Sequence, residues 1–400
     1  MKLRTIIIPI FAALICSCTN EGRDCIGDIS EPIRLVSWGG IGADKADTLY
    51  SLAKECGFDM HLGLYRAKES AIASLDAAAR KGIDVIISFP QIKDSTESAV
   101  QAIRNHPALY AYHLKDEPDT TDFGWLGCLR DSIHELDPEH PCYINLLPNW
   151  AWGVSEYSNR IERFACEIDV PFYSFDNYPI IDIDGEVVVR EDWYRNLEEF
   201  AQMARSHGKP FWGFALAKAH SISDPWPDTV YPEPTLGQLR LQAFSNLLYG
   251  AQAIQYFNFT GIVDPVTCEK LPAYDLIRQV NSEIKAYSHV FSGCSVLGIW
   301  HTGATIPSGT QPLTSMPHKK VKSLDMNGSD GTISFNGGVI ALIENRGNTY
   351  LAIQNRDIHN PAKLDIEFKS RVHILTPDGP VRLTRTSLDL TPGNIALFAL

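Results

Sequence analysis

A strand-then-helix pattern repeats eight times between residues 33 and 294, and this repeat limits the possible folds more than any other feature of the chain. The third predicted strand is a nearly continuous apolar run, which is typical of a parallel strand buried on both faces. Capping signals mark helix starts at Thr235 with Gln238 and at Asp94 with Glu97. Eight strand–helix units over about 260 residues predict a (β/α)8 barrel, which belongs to the α/β class.

The predicted barrel elements alternate regularly along the chain. The strands are predicted at residues 33–38, 58–65, 84–89, 110–115, 142–147, 171–177, 210–217 and 251–259. The helices are predicted at residues 44–56, 70–81, 94–105, 122–136, 156–168, 192–207, 236–249 and 273–291. A doubly wound open sheet is the alternative, but no glycine-rich phosphate-binding loop follows the first strand. We therefore favour the barrel over residues 33–294.

The pattern changes after the barrel. Helical periodicity disappears, and turns rich in Gly, Asn and Thr separate short alternating segments, for example residues 339–344 and 350–355. The Asn-Arg-Gly-Asn sequence at 345–348 is a hairpin signal between those two segments. We predict a small β-sandwich over residues 295–400.

The first residues carry export signals. Lys2 and Arg4 precede the apolar run 6–15, which is too short to span a bilayer and is typical of a signal peptide. The run ends in a sequence that resembles the lipobox of bacterial lipoproteins. The resemblance implies that Cys18 is lipidated, that residues 1–18 are the signal and 19–32 a tether, and that the protein is anchored to the cell envelope of a Gram-negative bacterium, in the outer membrane and facing the periplasm or the outside. An ordinary secretory signal is the alternative.

Charge and cysteine content exclude two classes of partner. The formal net charge is −13 and no run of Lys or Arg is present, which argues against nucleic-acid binding. The cysteines after Cys18 show no CxxC motif and no Cys/His ligand spacing, so that we expect neither a metal site nor another cofactor.

Two acids stand at the carboxyl end of the fourth predicted strand, where (β/α)8 barrels carry their chemistry. They are Asp116 and Glu117, followed by Pro118, which ends the strand and favours an extended conformation at Glu117. Adjacent strand residues point to opposite faces, so that only one of the two is expected to aim at a given substrate atom.

Other polar or aromatic residues lie at the remaining strand ends. The predicted site residues there are Asn149 and Trp150 on the fifth strand, Asp176 and Tyr178 on the sixth, Lys218 and His220 on the seventh, and Asn258 on the eighth. The rim aromatics are Trp38, Tyr65, Trp150, Tyr178, Trp212, Trp226 and Tyr256. An acidic pocket with aromatic walls suits a sugar, whose C–H faces stack on rings. Core packing is an equal alternative for Trp212 and Tyr256, as is a surface-loop position for His220.

Four stretches resemble a known family. HPALYAYHLKDEP (106–118) is similar to the fourth-strand signature of clan-A-like glycoside hydrolases, and FDNYP (175–179) to their sixth-strand end. Residues 239–259 resemble the last barrel units of glycosidases found among lipoproteins of glycan-degrading bacteria, and residues 392–400 the closing strand of their sandwich. The resemblance implies that Glu117, the carboxylate before proline, is the general acid/base.

The sequence departs from this family at the seventh strand. Clan-A enzymes carry their nucleophile there as a Glu, whereas residues 209–220, KPFWGFALAKAH, contain no acid. Asp176 is then the predicted second carboxylate, about 10 Å from Glu117 by strand spacing, which is closer to the separation in inverting than in retaining enzymes. The acids of the following loop are the alternatives: Asp224, Asp228 and Glu233.

These observations predict a glycoside hydrolase acting on a poly- or oligosaccharide. A glycan-binding lipoprotein on a catalytically degenerate barrel is the alternative, because the seventh strand lacks its acid. The expected partners are a carbohydrate, the outer membrane through the lipid only, and other glycan-utilisation proteins.

Overall fold

The computed structural model describes residues 32–223, 227–328 and 336–400. The predicted signal peptide, the lipidation site Cys18 and the tether before Pro32 lie outside these ranges, as do Asp224 and Trp226.

Eight parallel strands close into a barrel in the first part of the chain, which confirms the predicted fold class. The strands up to residue 257 are β1 (Arg34–Trp38), β2 (Met60–Leu64), β3 (Asp84–Ser88), β4 (Leu109–Asp116), β5 (Cys142–Leu146), β6 (Tyr173–Phe175), β7 (Ile180–Ile183), β8 (Glu186–Val189), β9 (Phe211–Leu216), β10 (His220–Ile222), β11 (Thr229–Tyr231) and β12 (Ala253–Phe257). The barrel order is β1-β12-β9-β6-β5-β4-β3-β2. All carboxyl ends of the barrel strands therefore meet at one end of the barrel.

Helices follow the strands as the periodicity predicts. They are α1 (Ala46–Glu55), α2 (Lys68–Lys81), α3 (Gln91–Asp94), α4 (Thr96–Ile103), α5 (Phe123–Leu136), α6 (Asn149–Trp152), α7 (Tyr157–Glu167), α8 (Trp193–Ser206), α9 (Leu236–Leu248), α10 (Ala273–Ala286) and α11 (Ser288–Phe291), with 3-10 turns at Ala43–Lys45 and Phe259–Gly261. Within the described ranges, no helix has the length and apolar character needed to cross a bilayer.

The two predicted helix caps have different outcomes. The capping box of α9 is confirmed, because the Thr235 hydroxyl accepts from the Gln238 backbone N–H and the Gln238 side chain accepts from the Thr235 N–H. The box predicted at Asp94 is wrong. A short helix begins after Pro90 and includes Asp94, and α4 starts after Ser95 without a side-chain cap.

Alternation along the barrel strands separates two layers of core. In β1, Leu35 packs toward the helices and Val36 packs inside the barrel. The inner layer also includes Trp38, Tyr143 and Phe214. Side chains thus fill the barrel, and catalytic sites of such barrels are formed by the loops and strand ends at the carboxyl face.

A four-stranded antiparallel sheet, which we did not predict, is inserted after the sixth and seventh barrel strands. Its order is β10-β11-β7-β8. The turn between β7 and β8 is Asp184-Gly185, and both residues have positive φ, +54° and +88°. An Asp-Gly pair between short alternating segments is a hairpin signal that the sequence analysis missed.

Two antiparallel sheets follow the barrel, as predicted. Their strands are β13 (Ser295–His301), β14 (Val321–Gly328), β15 (Gly338–Asn345), β16 (Asn348–Asn355), β17 (Ala362–Phe368), β18 (His373–Thr376), β19 (Gly379–Arg382), β20 (Ser387–Leu390) and β21 (Ile395–Ala399). Strands β14, β17 and β20 form one sheet and the other six form the second. Val321 and Leu364 of the small sheet share a core with Leu351 and Phe398 of the large one.

The buried side chain of Gln354 joins the sandwich to the barrel. Its Oε1 accepts a hydrogen bond from Ser245 Oγ on α9 at 2.7 Å. Its Nε2 donates to the carbonyls of Leu241 at 3.3 Å and Gly393 at 3.0 Å. Both ends of the amide are satisfied without water, and Gln354 is fully buried.

Replacing Gln354 by alanine should lower the free energy of unfolding by about 2–3 kcal/mol, because buried carbonyls and a hydroxyl lose their partner. Chemical denaturation of the two proteins measures this difference. Gln101→Ala is the matched control, since Gln101 is exposed on α4 and should change stability by less than about 0.5 kcal/mol. Equal effects of the two changes would contradict this role of Gln354.

Candidate active site

A pocket of about 180 Å³ lies at the carboxyl ends of the barrel strands. Barrel strands and the loops directly after them supply its floor, and the inserted sheet supplies one wall. The lining residues are Trp38, Asp116, Glu117, Asn145, Leu147, Pro148, Trp150, Asp176, Asn177, Tyr178, Phe214, His220, Ile222, Tyr231 and Phe257. Seven predicted site residues are therefore together in one pocket: Trp38, Asp116, Glu117, Trp150, Asp176, Tyr178 and His220.

The side chains of two predicted site residues make structural hydrogen bonds beside the pocket. The Tyr65 hydroxyl is bonded to the hydroxyls of Ser74 and, at 3.5 Å, Tyr50. Asn149 is fully buried at the start of α6, where its Nδ2 donates to the Asp192 carbonyl at 3.2 Å. Neither residue lines the pocket.

Thr260 forms hydrogen bonds with two more of the predicted site residues. Lys218 Nζ donates to Thr260 Oγ1 at 2.9 Å, and Asn258 Oδ1 accepts from the Thr260 backbone N–H at 3.0 Å. Both stand at strand ends, as predicted, but these bonds point them at the loop after β12 instead of at the pocket.

Of the remaining candidates, Trp212 and Tyr256 belong to the core. Trp212 stacks on Phe172 with ring centroids 4.0 Å apart at the opposite end of the barrel, and Tyr256 packs edge-on against Phe58. The loop acids Asp228 and Glu233 are exposed and do not line the pocket.

Both Asp116 and Glu117 reach the pocket, which corrects the expectation that their side chains diverge. The pairing of β4 with β5 shifts between His113 and Lys115, so that a bulge places one extra residue on β4. Asp116 consequently faces inward opposite Asn145. Glu117 has a φ of +46°, in the left-handed region and not in the extended region predicted from Pro118. This turn brings the second carboxyl over the same pocket.

Asn145 connects two of the three carboxyl groups. Its Nδ2 donates to Asp116 Oδ1 at 3.2 Å and to Asp176 Oδ1 at 3.0 Å. Strands β4, β5 and β6 are neighbours in the barrel, so the amide of the middle strand lies between the acids of the outer two.

A buried chain of hydrogen bonds fixes the orientation of the Asn145 amide. Ser174 Oγ donates to Asn145 Oδ1 at 2.9 Å, and Gln255 Nε2 donates to Ser174 Oγ at 2.8 Å. The Tyr143 hydroxyl in turn donates to Gln255 Oε1 at 2.8 Å. With its oxygen engaged by Ser174, Asn145 can present only its nitrogen to the two acids.

The surrounding protein raises the pKa of all three carboxyls. Asp116 still meets solvent in the pocket, but crowding by protein atoms raises its pKa to about 6. Burial, followed by the charge of Asp116, raises the pKa of Glu117 to about 7. Burial and the charges of Glu117 and Asp116 raise the pKa of Asp176 well above its usual value.

Glu117 and Asp176 are in direct contact, because their side chains are hydrogen-bonded to each other. Two carboxyl groups can make this bond only when one of them is protonated, so the pair holds a proton. The separation of about 10 Å that strand spacing predicts is therefore wrong. Strand spacing measures the distance between backbones, whereas the left-handed turn at Glu117 directs its side chain across the barrel.

Several lining residues were missed by the sequence analysis. Asn145 had a usable signal, since an amide inside an otherwise apolar strand needs partners, and those partners are often functional. Asn177 is adjacent to the predicted Asp176. Ile222 and Tyr231 come from the inserted sheet, which we did not predict.

A larger cavity of about 660 Å³ lies at the opposite end of the barrel, lined by residues at or just before the starts of the strands, such as Arg34, Pro141 and Pro210. It contains none of the three carboxyls. The smaller pocket is the candidate site, because it combines the acids, the aromatic walls and the carboxyl-terminal face.

Among the residues that the structure describes, Glu162, Cys166 and His207 form a group able to hold a metal ion. Glu162 and Cys166 lie on α7, and His207 directly follows α8. The sequence spacing alone therefore did not reveal the group of three. His207 Nε2 lies 2.8 Å from Glu162 Oε1. None of the three lines the acidic pocket.

No family model and no curated protein matches this chain. Among solved structures, α-fucosidase of Thermotoga maritima is similar at a TM-score of 0.45 and 8% identity, covering 90% of this chain and 80% of that one. The GH99 endo-α-mannosidase of Bacteroides thetaiotaomicron has a TM-score of 0.41 and 14% identity, with 57% and 83% covered. The catalytic domain of β-amylase from Paenibacillus polymyxa has a TM-score of 0.43 and 7% identity, with 62% and 97% covered. These proteins resemble the chain in their barrel fold, and the resemblance at such scores assigns no activity.

The raised pKa values predict a pH-dependent stability. The pKa values of Asp116 and Glu117 lie above the value of about 4 for the unfolded chain. The folded protein therefore binds more protons than the unfolded chain between about pH 4 and 7. Their contribution to stability is fully present below about pH 4 and is lost as the pH rises through 6 and 7.

Asp116→Asn removes one of these groups and its repulsion of Glu117. The Tm of this variant should exceed that of the wild type by an amount that grows from pH 4 to pH 8 in scanning calorimetry. Asp389→Asn, an exposed change in the sandwich, should show a constant difference. A constant difference for Asp116→Asn as well would contradict the raised pKa values.

Proposed function

We propose that this protein is a glycoside hydrolase in which Glu117 is the general acid/base. The observation that carries the proposal is the pKa of Glu117, raised to about 7 by burial and by Asp116, in a pocket at the catalytic end of a (β/α)8 barrel. A general acid must hold its proton at the working pH and still release it, and a pKa near 7 meets both needs.

In the proposed reaction Glu117 gives its proton to the glycosidic oxygen as the bond from this oxygen to the anomeric carbon breaks. Asp176 is the second carboxylate, which either attacks the anomeric carbon or takes a proton from water. Glu117 and Asp176 are in contact, so Glu117 must rotate away from Asp176 when the scissile bond lies between the two groups. For Glu117 to act as the acid, the proton that the pair shares must pass from Asp176 to Glu117 as the substrate enters, which leaves Asp176 as the carboxylate.

Asp116 and the aromatic residues support this chemistry. The negative charge of Asp116 raises the pKa of Glu117 and so keeps the proton in place. Trp38 forms part of the floor and Trp150 part of the wall. Their rings suit the C–H faces of a sugar, while the carboxyls and Asn177 can bond its hydroxyls.

The second candidate function is glycan binding without turnover. One observation favours it: among described residues, the end of the seventh barrel strand carries no acid, and Lys218 is bonded to Thr260. The pocket then keeps its acids for hydroxyl recognition only.

Glu117→Gln should lower glycan hydrolysis about a hundredfold or more, because the variant cannot donate a proton. The measurement is sugar release from pooled plant and host glycans by the protein from Thr19 onward. The matched control is Glu233→Gln, since Glu233 is exposed on the neighbouring loop outside the pocket. A loss of similar size in the control, or full activity of Glu117→Gln, would contradict the assigned role. Binding by calorimetry without sugar release from the wild type would establish the glycan-binding alternative.

We also propose that the protein is lipid-anchored through Cys18 to the envelope of a Gram-negative bacterium, in the outer membrane. The lipobox-like sequence before Cys18 supports this proposal. Metabolic labelling with a palmitate analogue should mark the wild type and not Cys18→Ser. Other glycan-utilisation proteins are the partners expected at that location.

A further inference from the structure

The acidic pocket is small and closed on one side by the inserted sheet. Its volume of about 180 Å³ lies below the range of about 300–1,000 Å³ for drug-sized ligands. One six-membered sugar ring suits such a volume, whereas two linked rings exceed it. A chain that continued in both directions would need an open cleft.

Tyr231 of β11 is the centre of the closing wall. Its ring stacks on His220 with centroids 4.6 Å apart and meets the edge of Tyr178 at 5.9 Å. Arg190 Nη2 donates to its hydroxyl at 3.4 Å, and Tyr231 is only 2% exposed. These contacts hold the wall in place across the inserted sheet and the end of the sixth barrel strand.

The ionisable acids that line the pocket are not matched by Lys or Arg side chains in the described lining. The described lining includes three carboxyl groups, Asp116, Glu117 and Asp176, and no Lys or Arg. Lys218 is bonded to Thr260, and the Arg190 guanidinium lies 4.8 Å from the ring centroid of Trp150 without lining the pocket. An anionic sugar would be repelled by the acids and would meet no Lys or Arg among the described lining residues.

We propose that the pocket receives one uncharged sugar residue at the end of a glycan chain, so that the enzyme is exo-acting. This inference rests on the proposed hydrolase function. The terminal residue fills the closed pocket, the scissile oxygen meets Glu117, and the rest of the chain leaves through the open side.

The test uses reducing-end-labelled neutral gluco-, galacto-, manno- and xylo-oligosaccharides. A time course with wild-type protein should show labelled chains that shorten by one residue at a time, with monosaccharide as the sole unlabelled product. The same chains capped with a terminal uronic acid should react at least about a hundredfold more slowly. Internal fragments among the first products, or equal rates for the acidic chains, would overturn the inference while leaving the hydrolase function intact. Absence of any cleavage counts against the proposed function itself.

Sugar binding to the Glu117→Gln protein tests how many sugar residues the pocket holds, because this variant is expected not to cleave the ligand. Calorimetry should give dissociation constants within about threefold for a monosaccharide and for longer chains with the same terminal residue. An affinity that rises with each added residue would show an open cleft and overturn the inference.

Tyr231→Ala tests the wall. It should weaken binding of the monosaccharide about tenfold, since the wall loses the ring that packs against His220 and Tyr178. Val230→Ala is the matched control, because Val230 is the exposed neighbour on the same strand and should bind as the parent does. Equal binding by both variants would contradict the closed pocket.

Discussion

The side-chain amide of Asn145 is the contact on which the acidic pocket depends. Its nitrogen donates to Asp116 and Asp176, acids that come from the strands on either side of β5. Buried carboxyls are costly without partners, and two that face each other repel when both are ionised. The bonds through Ser174 and Gln255 to Tyr143 fix the direction of the amide deep in the barrel. The acids can therefore lie close together in the pocket, because side chains of the barrel core orient the Asn145 amide that donates to two of them.

The arrangement of the backbone then determines where the proton resides. A bulge in β4 turns Asp116 inward, and the left-handed residue Glu117 directs a third carboxyl onto Asp176. A residue of this type with positive φ costs of order 1–3 kcal/mol, and such strain is typical of functional sites. The result is a carboxyl pair that shares a proton near neutral pH. This is the protonation state that proton transfer to a glycosidic oxygen requires.

Much of this structure could be predicted from the sequence, and the failures have physical causes. The eightfold repeat predicted the barrel, and the strand-end rule located Glu117, Asp176 and Tyr178 in the pocket. The same rule gives the position of a residue but not the direction of its side chain, which is why Lys218 and Asn258 were expected in the pocket although both bond to Thr260. The bulge in β4 could not be predicted from the sequence, because Tyr110, Tyr112 and Leu114 alternate as in a regular strand. The inserted sheet was hidden by strands of only three or four residues.

The central claim is that burial and the charge of Asp116 raise the pKa of Glu117 to about 7, so that this carboxyl can both hold and release a proton near neutral pH. Carbon-13 NMR titration of the side-chain carboxyls, in wild type and in Glu117→Gln, tests this claim most directly. The account predicts a carboxyl that titrates near pH 7 in the wild type, coupled to a second group, and the loss of this titration in the variant. Carboxyls that all titrate near pH 4, without a difference between the two proteins, would contradict it.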